Sequence, residues 1–133
     1  MAREWTHSAA FASFGTKPGN PRWSWSGRSD DGSQVAVTLW QDRFTNGGRV
    51  YQSWHSDMPG QWRSRPGFTE LINNLEHARN NTNGLVHIII ASAKDPNATP
   101  RSIARCFPQP NLKMKVTALD TNVGTFTLER VEA

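Results

Sequence analysis

A single cysteine, Cys106, leaves this chain unable to close an internal disulfide or to build an all-cysteine metal site. That scarcity fits a reducing compartment, and the cytoplasm is the expected location. Cys106 stands before Phe107 and Pro108, where a thiol is expected to be a small buried residue and not a nucleophile. Long apolar runs are also missing. The longest, Ile88–Ala91 with Val86 close by, has the length of a strand and not of a membrane span. Met1–Trp5 holds no apolar signal core, so no membrane association is expected. Glycine motifs that cradle phosphates are absent, since Asn46, Gly47 and Gly48 read only as a turn. Metal-dependent nuclease chemistry needs paired carboxylates, often with a lysine one strand position away. Asp42, Asp57, Glu70, Glu76 and Asp95 do not make that pattern. A binding module is therefore expected before an enzyme, with no cofactor.

Lysine is scarce as well, because eleven of the 15 basic residues are arginine. The 133-residue chain carries a formal net charge of +4, and its pI is about 9.8. Arginine presents a planar fork of donors that suits phosphate and base edges. Five of the six tryptophans, Trp23, Trp25, Trp40, Trp54 and Trp62, fall between Arg22 and Arg65. The same stretch holds Arg28, Arg43, Arg49 and Arg63 and no lysine. Indole faces stack bases and guanidinium groups hold phosphates, so nucleic acid is the expected partner, DNA in preference to RNA.

The length suits one domain, residues 1–133. Residues 1–18 read as a short strand or an ordered arm, and Lys17–Pro21 as a loop. Arg22–Arg28 reads as a strand with Trp23 and Trp25 on one face and Ser24 on the other. Asp31 and Gly32 mark a hairpin turn into a partner strand over Gln34–Phe44. There Val35, Val37 and Leu39 share one face; Ala36, Thr38 and Trp40 share the other. Thr45–Gly67 is irregular, with one short strand near Val50–Trp54. A loop so rich in Trp, Arg and His is the best candidate for a binding surface.

Phe68, Leu71, Ile72, Leu75 and Ala78 recur at helical spacing, which predicts a helix over Phe68–Asn80. Asn73, Asn74, Glu76, Arg79 and Asn80 mark its wet side. Leu85–Ser92 predicts a central strand covered on both faces. Thr99 and Pro100 predict the start of a short helix over Arg101–Cys106, ended by Pro108 and Pro110. A second hairpin is expected from Leu112–Leu119 and Val123–Val131, with Leu112, Met114, Val116 and Ala118 facing the core. The fold class is α+β: a small curved, mostly antiparallel sheet or pseudobarrel with one amphipathic helix and one short helix.

Trp23 and Trp25, two residues apart on a strand, would form a wall that stacks a base or lines the core; the sequence leaves both open. Trp54 and Trp62 lean towards binding because they fall in the long loop, whereas Trp40 ends a core strand. Lys94, Arg101, Arg105, Lys113 and Lys115 together read as a basic rim for a nucleic-acid backbone. His55 and Asp57 would share a face of an extended segment and suit an acid–base pair or a metal. No third ligand is signalled, and His7, His77 and His87 lack metal spacing, so no metal is expected. His87 alternates with isoleucines and reads as a satisfied buried histidine. Two other functions remain open: a protein-interaction or structural subunit with a Trp-rich interface, and a metal-dependent nuclease or hydrolase.

The strand pair Trp23–Ser26 and Val35–Trp40, the helix before Val86–Ala91, and the closing hairpin Lys113–Asp120 and Gly124–Glu129 resemble the PUA-like pseudobarrel group. That group includes the EVE, YTH, ASCH and SRA-type domains. The resemblance implies a reader of a modified base flipped into an aromatic pocket, often within bacterial restriction or defence systems. It implies Trp23, Trp25, Trp54 or Trp62 as pocket walls, with Asp42, Asn20 and Ser24 as hydrogen-bonding partners. The composition of the same stretch adds Arg22, Arg28, Arg63 and Arg65 as phosphate contacts. A fainter similarity links the chain to the N-terminal reader domains of McrA-like restriction endonucleases, although it carries no recognisable nuclease domain.

Overall fold

The structure, a computed structural model, describes residues 6–19, 24–52, 66–95, 97, 103–121 and 125–131. The helices are α1 (His7–Ala12) and α2 (Pro66–Asn81). The strands are β1 (Lys17–Pro18), β2 (Ser26–Arg28), β3 (Val35–Trp40), β4 (Phe44–Thr45), β5 (Val50–Gln52), β6 (Leu85–Ala93), β7 (Ile103–Asp120) and β8 (Thr125–Arg130). They form one open sheet in the order β1-β2-β3-β6-β7-β8-β5-β4. Every neighbouring pair is antiparallel except β3 with β6, which is parallel. No helix among the described residues is long and apolar enough to cross a membrane.

The β2–β3 hairpin forms where the Asp31-Gly32 signal placed it. The Asp31 carboxylate accepts from the Ser29 hydroxyl at 2.7 Å and from the Ser33 amide and hydroxyl at 3.0 and 2.7 Å. These donors hold the Asp31 carboxyl down at about 2. Gly32 adopts φ +73°, which glycine tolerates without a Cβ clash.

β6 is covered on both faces, as its unbroken apolar run requires. On one face, Leu71, Ile72, Leu75 and Ala78 of α2 pack with Val35, Val37 and Leu39 of β3 and with Val86, Ile88 and Ile90 of β6. On the other, Ala10 and Phe11 of α1 pack with Ala36, Ile89, Ala91 and Cys106. Cys106 is thus a buried residue, and burial pushes its thiol pKa up.

Four expectations are corrected. Residues 7–12 form α1, with Thr6 accepting from the Ala9 amide at 3.0 Å as N-cap, where a strand or arm was expected. No short helix forms over the described part of Arg101–Cys106. There the described residues from Ile103 onward belong to β7, because Arg105, Cys106, Phe107 and Pro108 pair with Ser92, Ala91, Ile90 and Ile89. Tertiary pairing overrides the local helix-start signal. Pro108 is tolerated because β8 pairs with β7 only over residues 114–120, so the earlier part of β7 has β6 as its one described strand neighbour.

Asn74, expected on the wet side of α2, is 3% exposed. Its Nδ2 donates to Ser26 Oγ at 2.7 Å and its Oδ1 accepts from Arg28 Nε at 3.0 Å. Ala118, expected in the core, is exposed. A register shift between Val116 and Ala118 breaks the alternation and turns the half-buried Leu119 inward instead.

Candidate nucleic-acid interface

Eight of the sixteen candidate binding residues, Asn20, Arg22, Trp23, Trp54, Trp62, Arg63, Arg65 and Arg101, lie outside the described residues, as do His55 and Asp57. Trp25 precedes β2 in a bend and is half-buried. Its ring lies 5.2 Å from that of Trp40, which is half-buried as well, and 6.4 Å from His7. The Thr38 amide donates to the Trp25 carbonyl at 2.8 Å. The two indoles therefore form one cluster at the C-terminal end of β3. Ser24 is 2% exposed and so buried. Asp42 is exposed in the turn that follows β3.

Strand register divides the basic residues into two groups. Arg105 pairs with Ser92 and lies beside Lys94, at the sheet end that also holds Trp40 and Asp42. Lys113 and Lys115 pair with His87 and Leu85 at the other end. Five residue steps along β6 separate His87 from Ser92, roughly 17 Å at the rise of a strand. A single continuous rim is therefore not what these side chains make. Arg28 belongs with the second end and is tied to α2, through Asn74 and through Nη1 at 3.2 Å from His77 Nδ1.

A pocket of about 340 Å³ opens beside Asp42. Its apolar floor is the buried Ile90, with the half-buried Phe44, Phe107 and Leu112 around it. Its polar groups are Gln41, Gln109, Asn111 and Arg130. The geometry follows from a β-bulge. His87 and Ile88 are adjacent on β6, yet their partners on β7 are Lys113 and Gln109, so residues 110–112 leave the ladder. Two prolines flanking Gln109 cannot both serve a regular ladder, and the bulge swings Asn111 and Leu112 to the pocket rim. On the far side, Phe44 meets Tyr51 edge-on at 5.2 Å, and the Tyr51 hydroxyl accepts from the Trp40 amide at 3.3 Å. Gly47 and Gly48 take φ +69° and +87°, and so bring the backbone past the mouth with no side chain over it.

Within the described residues, the side chains of Gln41, Gln109, Asn111 and Arg130 make no hydrogen bond or ion pair. Three amides, each both donor and acceptor, thus stand unused around two phenyl rings, with one guanidinium beside them. Such a set can grip a planar ring by its faces and read its edge. The described lining holds no carboxylate, histidine or cysteine, so it offers no general acid, base or nucleophile. No cluster of three metal-ligating side chains occurs among the described residues. Sequence reasoning missed this pocket because it read Pro108 and Pro110 as helix terminators; proline on both sides of one residue inside an apolar pattern is the signal of a bulge.

His7 ties α1 to the Trp cluster. Its Nε2 lies 2.6 Å from Thr38 Oγ1, and its ring lies 4.8 Å from Phe11. Burial lowers its pKa below 6.5. The folded state thus disfavours the protonated ring. The resulting stability is fully present above 6.5 and is lost as pH falls from there through the depressed folded value. His87 is shifted the same way, by burial first and then by Lys113. Urea midpoints are expected to fall between pH 7.5 and pH 5, and His7→Phe is expected to flatten part of that fall. A midpoint that holds or rises on acidification contradicts this account.

Comparison of the chain with known protein families, with curated proteins and with solved structures found no match.

Proposed function

We propose that this protein is a cytoplasmic nucleic-acid-binding module that takes one base, unpaired or flipped, into the pocket between Phe44 and Phe107, with DNA preferred to RNA. One observation carries the reading: three amides with no partner among the described residues, together with Arg130, surround the floor at Ile90 and the rings of Phe44 and Phe107. A pocket of about 340 Å³ has room for a base and part of its sugar but not for a base pair. A duplex would therefore have to give up a stacked base, whereas a single strand would not. Lys94 and Arg105 lie at the sheet end that follows Ile90 and Phe107 and would hold the flanking strand. Selection of a modified base, membership of the PUA-like group and a role in bacterial defence belong to this proposal through the sequence resemblance.

The test is fluorescence anisotropy with labelled single-stranded and mismatched DNA at 50 and 200 mM salt. The wild-type chain is expected to bind, more weakly at the higher salt. Loss of one stacking face is worth about 1–3 kcal/mol, so Phe107→Ala is expected to weaken binding roughly 5- to 150-fold. Gln109→Ala combined with Asn111→Ala is expected to flatten preference among bases with a smaller loss of affinity. Absence of binding at 50 mM salt, or full affinity in Phe107→Ala, rules the reading out. Salt-insensitive self-association without DNA binding would favour an interaction subunit instead.

A further inference from the structure

A smaller cavity, of about 240 Å³, lies at the sheet end that carries Lys113. Ser33, Gln34, Thr82, Asn83, His87 and Lys113 supply its polar lining. His87 points to the sheet face that α1 covers, where Phe14 stacks on its ring at 4.6 Å. Its Nε2 lies 2.6 Å from Gln34 Oε1. An amide oxygen only accepts, so Nε2 carries the proton and the Gln34 NH₂ is left to donate elsewhere. Among the described residues, the side chains of Asn83 and Lys113 have no hydrogen bond or ion pair. Strand register sets no acid opposite Lys113. Lys115 stands opposite Glu129 of β8, whereas Lys113 stands opposite His87 of β6, and its carbonyl accepts from the Val131 amide at 2.9 Å. Burial lowers the His87 pKa, Lys113 lowers it further, and no carboxylate among the described residues offsets them. Its other neighbours, Gln34 and Phe14, are uncharged. Gln34, Asn83 and Lys113 are exposed, so a ligand in the cavity reaches all three.

Charge and the layout of donors decide the ligand class. The described lining holds no carboxylate, so a cation would meet an ammonium and no counter-charge. An apolar ligand would strip water from Lys113 and give nothing in return. An anion meets Lys113 and two amide NH₂ groups. These donors come from three places: Gln34 beside β3, Asn83 in the turn after α2, and Lys113 on β7. A carboxylate offers two oxygens in one plane, whereas a phosphate group offers three around one centre. We infer that this cavity binds a phosphate group, with Lys113, Asn83 and Gln34 as its donors. Protonation of His87 sets a second positive charge beside that anion, so binding and protonation favour each other. The site lies apart from the pocket between Phe44 and Phe107. That pocket opens on the Ile90 side of β6, and His87 points to the other side. The inference therefore stands whether or not the protein binds nucleic acid.

The experiment follows the ring resonances of His7, His77 and His87 by NMR while the full chain is titrated with acid. It is run in sodium sulfate and in sodium chloride of equal ionic strength. Sulfate stands in for the phosphate group and keeps one charge across the titration. It is expected to raise the His87 midpoint and to leave those of His7 and His77 where chloride puts them. By reciprocity, sulfate is expected to bind at least ~5-fold more tightly once His87 is protonated. Lys113→Gln is expected to abolish the sulfate effect and, in chloride, to raise the His87 midpoint, because the Lys113 charge lowers it. Asn83 has φ +57°, which glycine keeps, so Asn83→Gly tests the amide alone and is expected to weaken sulfate at least ~3-fold. Equal shifts of all three histidines, or a sulfate effect that survives Lys113→Gln, overturns the inference. Inorganic phosphate and single-stranded DNA, compared at equal phosphate concentration, then identify the source of the group. Movement of His87 by DNA assigns the cavity to a strand backbone, and movement by inorganic phosphate alone assigns it to a free phosphate compound. No movement with either overturns the inference, and DNA that still binds then leaves the nucleic-acid reading standing.

Discussion

Leu75→Ala is expected to destabilise the fold by about 3 kcal/mol, within the range of 2–5 for truncation of a buried leucine. Leu75 is 0% exposed and lies in the core shared by α2, β3 and β6. Among the described residues, Leu71, Ile72, Leu75 and Ala78 are the apolar contacts of α2 in that core, and Ala78 adds little volume. The neighbours of Leu75 belong to a sheet fixed by ladder hydrogen bonds, so the gap cannot close freely. The effect should also reach Arg28, because its partners Asn74 and His77 ride on the same helix. Urea denaturation measures the loss, and exposed Asn80→Ala serves as the control, with a change within about 0.5 kcal/mol. A Leu75→Ala loss below about 1 kcal/mol would mean that α2 is not anchored by this stripe.

Gly27→Ala is expected to cost about 2–3 kcal/mol, at the upper end for overpacking. A Cβ at residue 27 would lie 2.8 Å from both the carbonyl carbon and the oxygen of Lys17 and 3.1 Å from Phe11 Cδ1. The first two contacts are backbone and cannot swing aside. Relief requires β1 to move off β2, where Pro18 pairs with Gly27 and Lys17 with Arg28. The Gly19 amide, just past β1, donates to Glu70 Oε2 at 2.8 Å, and the substitution is therefore also expected to lengthen that contact. Paired measurements check it: the urea midpoint should fall and the Gly19 amide resonance should shift. An unshifted Gly19 amide, or a loss below about 0.5 kcal/mol, would show that β1 gives way easily.

Where one period dominated, the sequence was legible. The alternation of Val35, Val37 and Leu39 placed β3. The spacing of Leu71, Ile72, Leu75 and Ala78 placed α2, and the run through Ile88–Ile90 placed a strand covered on both faces. Legibility failed where the deciding partner was distant. Residues 7–12 have little apolar pattern of their own, and α1 forms where Phe11 can fill the sheet's second face. Residues 103–106 follow the helix-start signal of Thr99 and Pro100 but belong to β7, which pairs with β6. Asn74 reads as solvated until Ser26 and Arg28 are brought beside it from β2. The candidate pocket joins a turn after β3, a bulge in β7 and the last residue of β8, so no local window contains it.

The one parallel pairing in the sheet has a consequence for how the chain is made. Trp40 of β3 finds its register opposite Ala91 of β6. On a ribosome adding ~5–20 residues per second, β3 waits roughly 3–10 s for that partner to be synthesised. During that interval the β2–β3 hairpin presents an apolar, unpaired edge with Val35, Val37 and Leu39 uncovered. Closing a loop of this length is also entropically slow compared with forming hairpins, so the β3–β6 register is expected to be acquired late. The nascent chain is thus most exposed to aggregation, and most in need of a chaperone, after its first hairpin has formed and before β6 emerges.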